Sequence, residues 1–296
     1  MSICLEVKNI RKEYNQKVAL DRISLSIEKG KIFGLLGPNG AGKTTFIRII
    51  NQITAPDTGS IQFNGMDFKR KHITRIGYLP EERGLYKNMK VGEQCLYLAR
   101  LKGLSKTEAK QQIHYWFQRL EMLDWLPKKV EELSKGMAQK VQFISTIIHQ
   151  PELIILDEPF SGFDPINSEI IKQEVLRLKE QGTTIILSTH RMESVEELCD
   201  DIALINTGQC VLYGQLTQIK EKYKKDIYKI EYRGTLKTPE GFNVLENDNN
   251  IALIKATQKQ SSNQLLSQLI KQVDVVSFKE KLPSINDIFI QSVSNE

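Results

Sequence analysis

"GPNGAGKT", residues 37–44, decides the fold. It fits the pattern G-x-x-x-x-G-K-[ST], and each fixed position answers a physical need of phosphate binding. Glycines at 37, 40 and 42 let the backbone turn its N–H groups toward phosphate oxygens, where a side chain would intrude. Pro38, Asn39 and Ala41 fill the variable positions of this loop. Lys43 carries charge to the outer phosphates, and the Thr44 hydroxyl, followed by Thr45, suits a Mg²⁺ ion. A purely structural glycine turn is the competing reading, and the flanks weigh against it. "KIFGLLG" (31–37) is a nearly continuous apolar run, as a strand buried on both faces should be, and "KTTFIRIINQI" (43–53) has helical spacing.

A phosphate loop needs a metal side and a way to activate water. In "LIILDEP" (153–159), Asp157 stands at the end of a second buried strand, where a carboxylate suits the Mg²⁺ shell. Glu158 follows, placed to polarise an attacking water. "DE" after a strand is weak by itself and gains its meaning from the loop. "TTIILSTH" (183–190) restores a buried strand, with the helical "NSEIIKQEVLRLKEQG" before it, giving a strand–helix–strand crossover. A second candidate cradle lies at "LSKGM" (133–137), where Ser134 and Gly136 head a helix whose first N–H groups lack intrahelical partners.

The rest of the chain frames these motifs. Residues 3–7 and 23–27 alternate like half-buried strands, "GSIQFNG" (59–65) reads as a short strand closed by an Asn-Gly turn, and "RIGYLP" (75–80) as a strand stopped by Pro80. Over 91–150 the apolar spacing becomes helical, with a capping box at Ser105–Glu108 and Trp116 and Trp125 buried in the block. The lysine-rich 218–226 reads as a solvated helix end or linker. Beyond it "IYKIEY", "NIALIKA" and "VDVVSF" read as strands, with helices at "NQLLSQLI" and "SINDIFI".

The 296 residues, 40% hydrophobic and 26% charged, suit one large and one smaller domain of an ordinary folded protein. A net charge of +5 is mild and selects no partner. The four cysteines lack paired or metal-like spacing and read as thiols in a reducing compartment. "MSICLEVKNI" lacks the layout of a signal peptide, and no apolar run reaches the length of a membrane span. The expected location is cytoplasmic, with any membrane association made through a partner.

Together the motifs resemble the ATP-binding-cassette (ABC) ATPases over about residues 3–215. The P-loop is followed in family order by the signature stretch at 133–137, Asp157–Glu158, "SGFD" (161–164) at the D-loop, and His190 in "LSTH" at the switch-histidine position. The resemblance implies an α/β fold: a P-loop NTPase core with an antiparallel β subdomain and an inserted α-helical subdomain at about 91–150, all within 1–217. A linker at 218–225 and a small C-terminal α+β module at 226–296 would follow. It implies ATP and Mg²⁺ as cofactors, with Thr44 and Asp157 on the metal and His190 sensing the γ-phosphate. Tyr14 would stack on adenine, although taken alone it reads equally well as a surface or core tyrosine. Ser134, Gly136 and Asp164 would face the nucleotide of a second copy in a head-to-tail dimer.

Two departures stand out. The commoner signature is LSGGQ, whereas Lys135 and Met137 replace one of its glycines and its glutamine. In "GYLPEERGLY", Glu81 takes the place of a glutamine facing metal and water, where a carboxylate can still ligate Mg²⁺. "LPEERGLY" with "LSKGM" resembles the sodium-exporter-like branch of export ATPases that serve a separate polytopic membrane permease. The stretch from Glu81 to Met89, with the helical block beside it, would form the permease groove. The rival reading is a soluble ABC ATPase acting on ribosomes or nucleic acid. That class usually carries a second cassette or a long coiled-coil insertion, and neither is present, so no nucleic-acid partner is expected.

Overall fold

The computed structural model describes residues 2–82, 84–257 and 260–294. It divides into two compact units, Met1–Leu216 and Thr217–Glu296.

In the first unit, β1 (Ile3–Tyr14) and β2 (Lys17–Glu28) form a hairpin far longer than the two short strands expected at 3–7 and 23–27. The cause is local. Asn15 and Gln16 both take positive φ, 45° and 69°, which is the two-residue turn whose twist matches paired strands. Glutamine is an unusual residue for that turn, so the sequence did not announce it. β4 (Thr58–Phe63) pairs with β1, and β5 (Met66–Asp67) with β4, completing an antiparallel sheet in the order β2-β1-β4-β5.

The second sheet of this unit has the order β10-β9-β3-β8-β7-β6 among the described residues. Its strands are β3 (Ile32–Leu36), β6 (Ile76–Leu79), β7 (Leu153–Asp157), β8 (Thr184–Ser188), β9 (Asp201–Asn206) and β10 (Gln209–Gln215). All are parallel neighbours except the β9–β10 hairpin. β3, β7 and β8 are buried at every position, as their unbroken apolar runs require. The chain reverses its strand order beside β3, and the loops at the carboxyl ends there form the crevice in which open α/β sheets bind ligands.

α1 (Lys43–Ile50) buries Phe46, Ile47, Ile49 and Ile50 between the two sheets. One apolar cluster therefore joins Leu5 and Val7 of the hairpin to Phe33 and Leu35 beneath the P-loop. Truncating the fully buried Phe46 to alanine costs about 3–5 kcal/mol at such a site. The helical block contains α2 (Val91–Leu101), α3 (Lys106–Arg119) and α4 (Lys135–Ile147). The capping box forms as read: Glu108 N donates to Ser105 Oγ at 3.2 Å, and Ser105 N donates to Glu108 Oε2 at 2.8 Å. Trp116 is buried, and Trp125 is half-buried. Arg119 of α3 donates to the buried Glu174 of α5 (Pro165–Glu180), pinning the block to the core helix. α6 (Met192–Leu198) leads into β9.

α7 (Leu216–Lys222) occupies most of the lysine-rich stretch. The second unit has an antiparallel sheet in the order β12-β13-β11-β14. Its strands are β11 (Ile227–Arg233), β12 (Phe242–Asp248), β13 (Ile251–Ala256) and β14 (Asp274–Glu280). β12 was not foreseen: its "FNVLEND" ends in exposed polar residues that hide the alternation. α8 (Ser262–Leu269) lays Leu265 and Leu269 on Tyr228, Ile230 and Ile254, and α9 (Ile285–Ser294) follows Pro283.

Candidate functional site

The P-loop turns between β3 and α1. A Cβ on Gly37 would lie 2.1 Å from the Ile205 carbonyl oxygen, at a φ of 145°, so only glycine fits there. Gly42 caps α1 in a left-handed conformation without any side-chain bond. The first N–H groups of α1, at the positive end of its dipole, are left to an anion. Lys43 Nζ donates to the Gly37 and Pro38 carbonyls at 2.7 and 3.0 Å, holding the ammonium across the mouth of the loop.

A cavity of about 650 Å³ opens over this loop. It gathers Asn39, Gly40, Gly42, Lys43, Thr44 and Thr45 with Glu81 from the segment after β6, Asp157 and Glu158 from the end of β7, and His190 after β8. Residues some 150 positions apart meet because β3, β7 and β8 lie side by side with their carboxyl ends together. Gly37, Pro38 and Ala41 support the loop from outside the lining.

The charges interact strongly. Burial draws the Lys43 ammonium below its ordinary pKa, and Glu158, Asp157 and Glu81 oppose that shift. Burial raises the Asp157 carboxyl, and the negative charges of Glu81 and Glu158 push it the same way. Glu158 is 8% exposed and takes a φ of 50°, a left-handed position that a side chain adopts at some cost. Its carboxylate accepts from His190 N at 2.8 Å and from Thr189 Oγ1 at 3.2 Å, and lies 2.7 Å from His190 Nδ1. Glu158 and His190 thus form a bonded pair at the cavity wall.

This donor set fits Mg²⁺. The negative charges of Glu158, Asp157 and Glu81 act on Lys43 and would disfavour a polyphosphate that came without a cation. Thr44, Asp157 and Glu81 offer the hard oxygens that Mg²⁺ prefers. Among the described residues there is no cluster of three or more His, Cys, Asp or Glu able to form a protein-only cage. Mg²⁺ is usually held by one or two carboxylates plus substrate phosphates, a mode that the hydroxyl of Thr44 with the carboxylates of Asp157 and Glu81 would suit.

Other residues named from the sequence stand elsewhere. Ser134 is the N-cap of α4, its Oγ accepting from Met137 N at 3.3 Å, and neither it nor Gly136 lines the cavity. Asp164 caps α5, accepting from Asn167 N at 2.9 Å, and is also outside. Tyr14 ends β1 as a residue 42% exposed, with Lys12 Nζ 5.3 Å from its ring centre. It too does not line the cavity, but its register partner Lys17 does, with Val18 and Ala19. That run and the turn Thr207–Gly208 were missed in the sequence. A Thr-Gly pair between two alternating runs in "DIALINTGQCVLYG" was the available signal for the turn. Gly208 N donates to Ala41 O at 2.8 Å, so this turn braces the P-loop.

A second cavity of about 530 Å³, lined by Cys4, Trp116, Glu152 and Arg177 among others, lacks such chemistry. Glu152 is taken by Arg75, and Arg177 by Glu174 and Tyr115.

The chain is similar to known proteins over most of its length. The family model described as "ABC transporter" matches residues 20–161, and one described as "ATP-binding protein DrrA1-3-like, C-terminal domain" matches 214–293. The uncharacterized ABC transporter ATP-binding protein YhaQ of Bacillus subtilis (strain 168) is 41% identical over 98% of both chains. The linearmycin resistance ATP-binding protein LnrL of the same organism is 36% identical over 73% of this chain and 70% of its own. A solved structure of the ATP-binding subunit of an ABC transporter superposes with a TM-score of 0.69, at 30% identity over 74% of this chain and 93% of that one. YhaQ and the solved structure carry ABC transporter names, and the ribosome or nucleic-acid reading finds no support among these relatives. The chain belongs to the ATP-binding proteins of ABC transporters, the ATP-hydrolysing subunits of these systems.

Proposed function

We propose that two copies of this chain close head to tail on two MgATP and drive export through a polytopic permease on a separate chain. The observation that carries this reading is the division of the motifs. One cavity holds the P-loop, Glu81, Asp157, Glu158 and His190, while Ser134, Gly136 and Asp164 lie outside it. A second copy would bring those three to the open side of the nucleotide.

In this mechanism the N–H groups of the loop and Lys43 bind the phosphates. Tyr14, exposed beside the lining run Lys17–Ala19, stacks on adenine. Thr44 and Asp157, with Glu81, hold Mg²⁺, which when bound neutralises charge on the phosphate oxygens. Glu158 accepts a proton from the attacking water, and its bonds to His190 and Thr189 fix the carboxylate for that task. His190 senses the γ-phosphate through the same pair. Closure on ATP and reopening after hydrolysis is a ligand-biased two-state change.

Among the described residues no helix is long and apolar enough to cross a membrane. The subunit would sit on the inner face of the cell membrane through its permease. An apolar groove of about 450 Å³ supports this, lined in part by Ile53, Tyr78, Pro80, Leu85, Leu98 and Leu101, with Ile53 and Leu101 each 61% exposed. It takes in part of the stretch expected as the docking site; Arg83 of that stretch lies outside the described residues. Export is favoured by the likeness to LnrL, a resistance protein by its name, and by the sequence resemblance to the sodium-exporter-like branch.

The test uses the full chain. Ser134→Ala should keep monomer ATP affinity within about twofold and abolish ATP-driven dimerisation, because beyond the cap to Met137 N the hydroxyl would serve only the partner's phosphate. Loss of monomer affinity would refute the shared-site reading. Co-purification with ribosomes in place of a membrane protein would refute the transport reading.

A further inference from the structure

Lys135 is the residue of the signature stretch that the mechanism leaves unused. It occupies the first position of α4, and no acidic residue stands in that first turn. A cation there opposes the helix dipole and costs stability unless it serves a purpose.

Its side chain is drawn across to the loop after β7. A Cβ placed on Gly162 would lie 2.5 Å from Lys135 Cε, 3.0 Å from Lys135 Nζ and 3.3 Å from Gln139 Oε1. Lys135 and Gln139, one helical turn apart, therefore converge on Gly162, whose φ of 84° and bare Cα make room for them. Gln139 Nε2 donates to the Pro159 carbonyl at 3.1 Å, and Gly136 faces the Phe163 ring. The segment gripped in this way, 159–163, directly follows Glu158. Ser161 N donates back to the Glu158 carbonyl at 3.1 Å, so the loop folds onto the residue that carries the base.

We propose that Lys135 is a positioning residue, which ties the first turn of the signature helix to the loop behind Glu158 and so passes occupancy of one nucleotide site to the base of the other. The proposal rests on the shared-site reading above. The phosphate seated on Ser134 and Gly136 belongs to the partner's nucleotide, whereas the Glu158 steadied by Lys135 serves this chain's own. Arrival of the partner's phosphate would also turn the unfavourable charge at the head of α4 into a favourable one.

The test is steady-state ATP hydrolysis by the purified full chain over a range of ATP concentrations. Lys135→Ala should lower kcat about tenfold with KM within about twofold, and Lys135→Arg should restore most of the rate. A merely structural lysine would move the melting temperature instead of splitting kcat from KM. Gly162→Ala pushes a methyl into the ammonium end of Lys135. Its backbone strain is the same whether or not the lysine is present, so the double-mutant cycle isolates the contact. The loss from Gly162→Ala should be several-fold smaller, roughly threefold or more, in the Lys135→Ala background. Equal losses in both backgrounds, or a wild-type kcat for Lys135→Ala, would overturn the assignment. Ser134→Ala run alongside separates the two levels. If it is dead while Lys135→Ala is wild-type, only the Lys135 role falls. If both turn over normally, the shared site falls as well.

Discussion

Replacing Glu158 by glutamine tests the chemistry of the site most directly. The carboxylate accepts two hydrogen bonds, from His190 N and Thr189 Oγ1, and its Oε1 lies beside His190 Nδ1. A glutamine has the same shape and can keep its amide oxygen at the Oε1 position, accepting from His190 N beside Nδ1, while its NH₂ group takes the Oε2 position and donates to Thr189 Oγ1. Its backbone strain at a φ of 50° is unchanged. Stability should therefore stay within about 1 kcal/mol, the size of a single exchanged hydrogen bond. The rate should not. Removing a general base slows the chemical step by about 10²–10⁴, which corresponds to about 3–5 kcal/mol in the barrier. Removing one of three carboxylates around Lys43 also lessens repulsion of the nucleotide, so ATP should bind at least as tightly as before. The assay pairs single-turnover hydrolysis of radiolabelled ATP with light scattering on a sizing column. The expected result is a stable ATP-bound dimer with almost no phosphate release. Hydrolysis within about threefold of wild type, by a variant that melts normally, would refute Glu158 as the base.

Ser134→Asp should melt within a few degrees of wild type, because Asp caps α4 as well as Ser does. It would nevertheless place negative charge against the incoming phosphate, so a variant that still dimerises on ATP contradicts the shared site. Gly37→Ala forces a methyl to within 2.1 Å of the Ile205 carbonyl at positive φ. A loss of about 2–5 kcal/mol by urea titration, together with weakened ATP binding, is expected. His149 bears on pH. Burial, aided by the Lys102 ammonium, takes its pKa down to about 4 from 6.5, with Nε2 lying 3.2 Å from the Ile76 carbonyl. The unfolded chain then binds a proton between pH 6.5 and 4 that the folded chain refuses, so stability falls as pH drops through that window. The loss from pH 7 to 5 should be about 2 kcal/mol and should largely vanish in His149→Gln, measured by denaturant titration at both pH values. An unchanged pH slope in that variant would rule out His149 as the source.

Much of this molecule is written locally. The P-loop is eight consecutive residues whose glycines, lysine and threonine are each demanded by phosphate geometry, and its strand and helix adjoin it in sequence. The buried runs of β3, β7 and β8 declare themselves because a strand covered on both faces has no polar alternation to obscure it. Asp157 and Glu158 could be placed at the carboxyl end of such a run, and Ser105 and Ser134 at the heads of their helices, from spacing alone. The limit is reached where a residue acts through a partner distant in the chain. The long β1–β2 hairpin rests on a turn with an atypical glutamine, and only its pairing brings Lys17–Ala19 to the cavity. The Thr207–Gly208 turn matters because Gly208 N meets Ala41 O, and Asp21 N meets Gly208 O in turn, each at 2.8 Å. Lys135 is a bare charge in the sequence, and only the fold lays the end of its side chain against Gly162. The sequence by itself determined the chemistry, since a binding motif must satisfy its ligand with neighbouring residues. Tertiary structure alone sets which of these groups share a cavity and which lie outside it, since that depends on strand order and long-range packing that no local window contains.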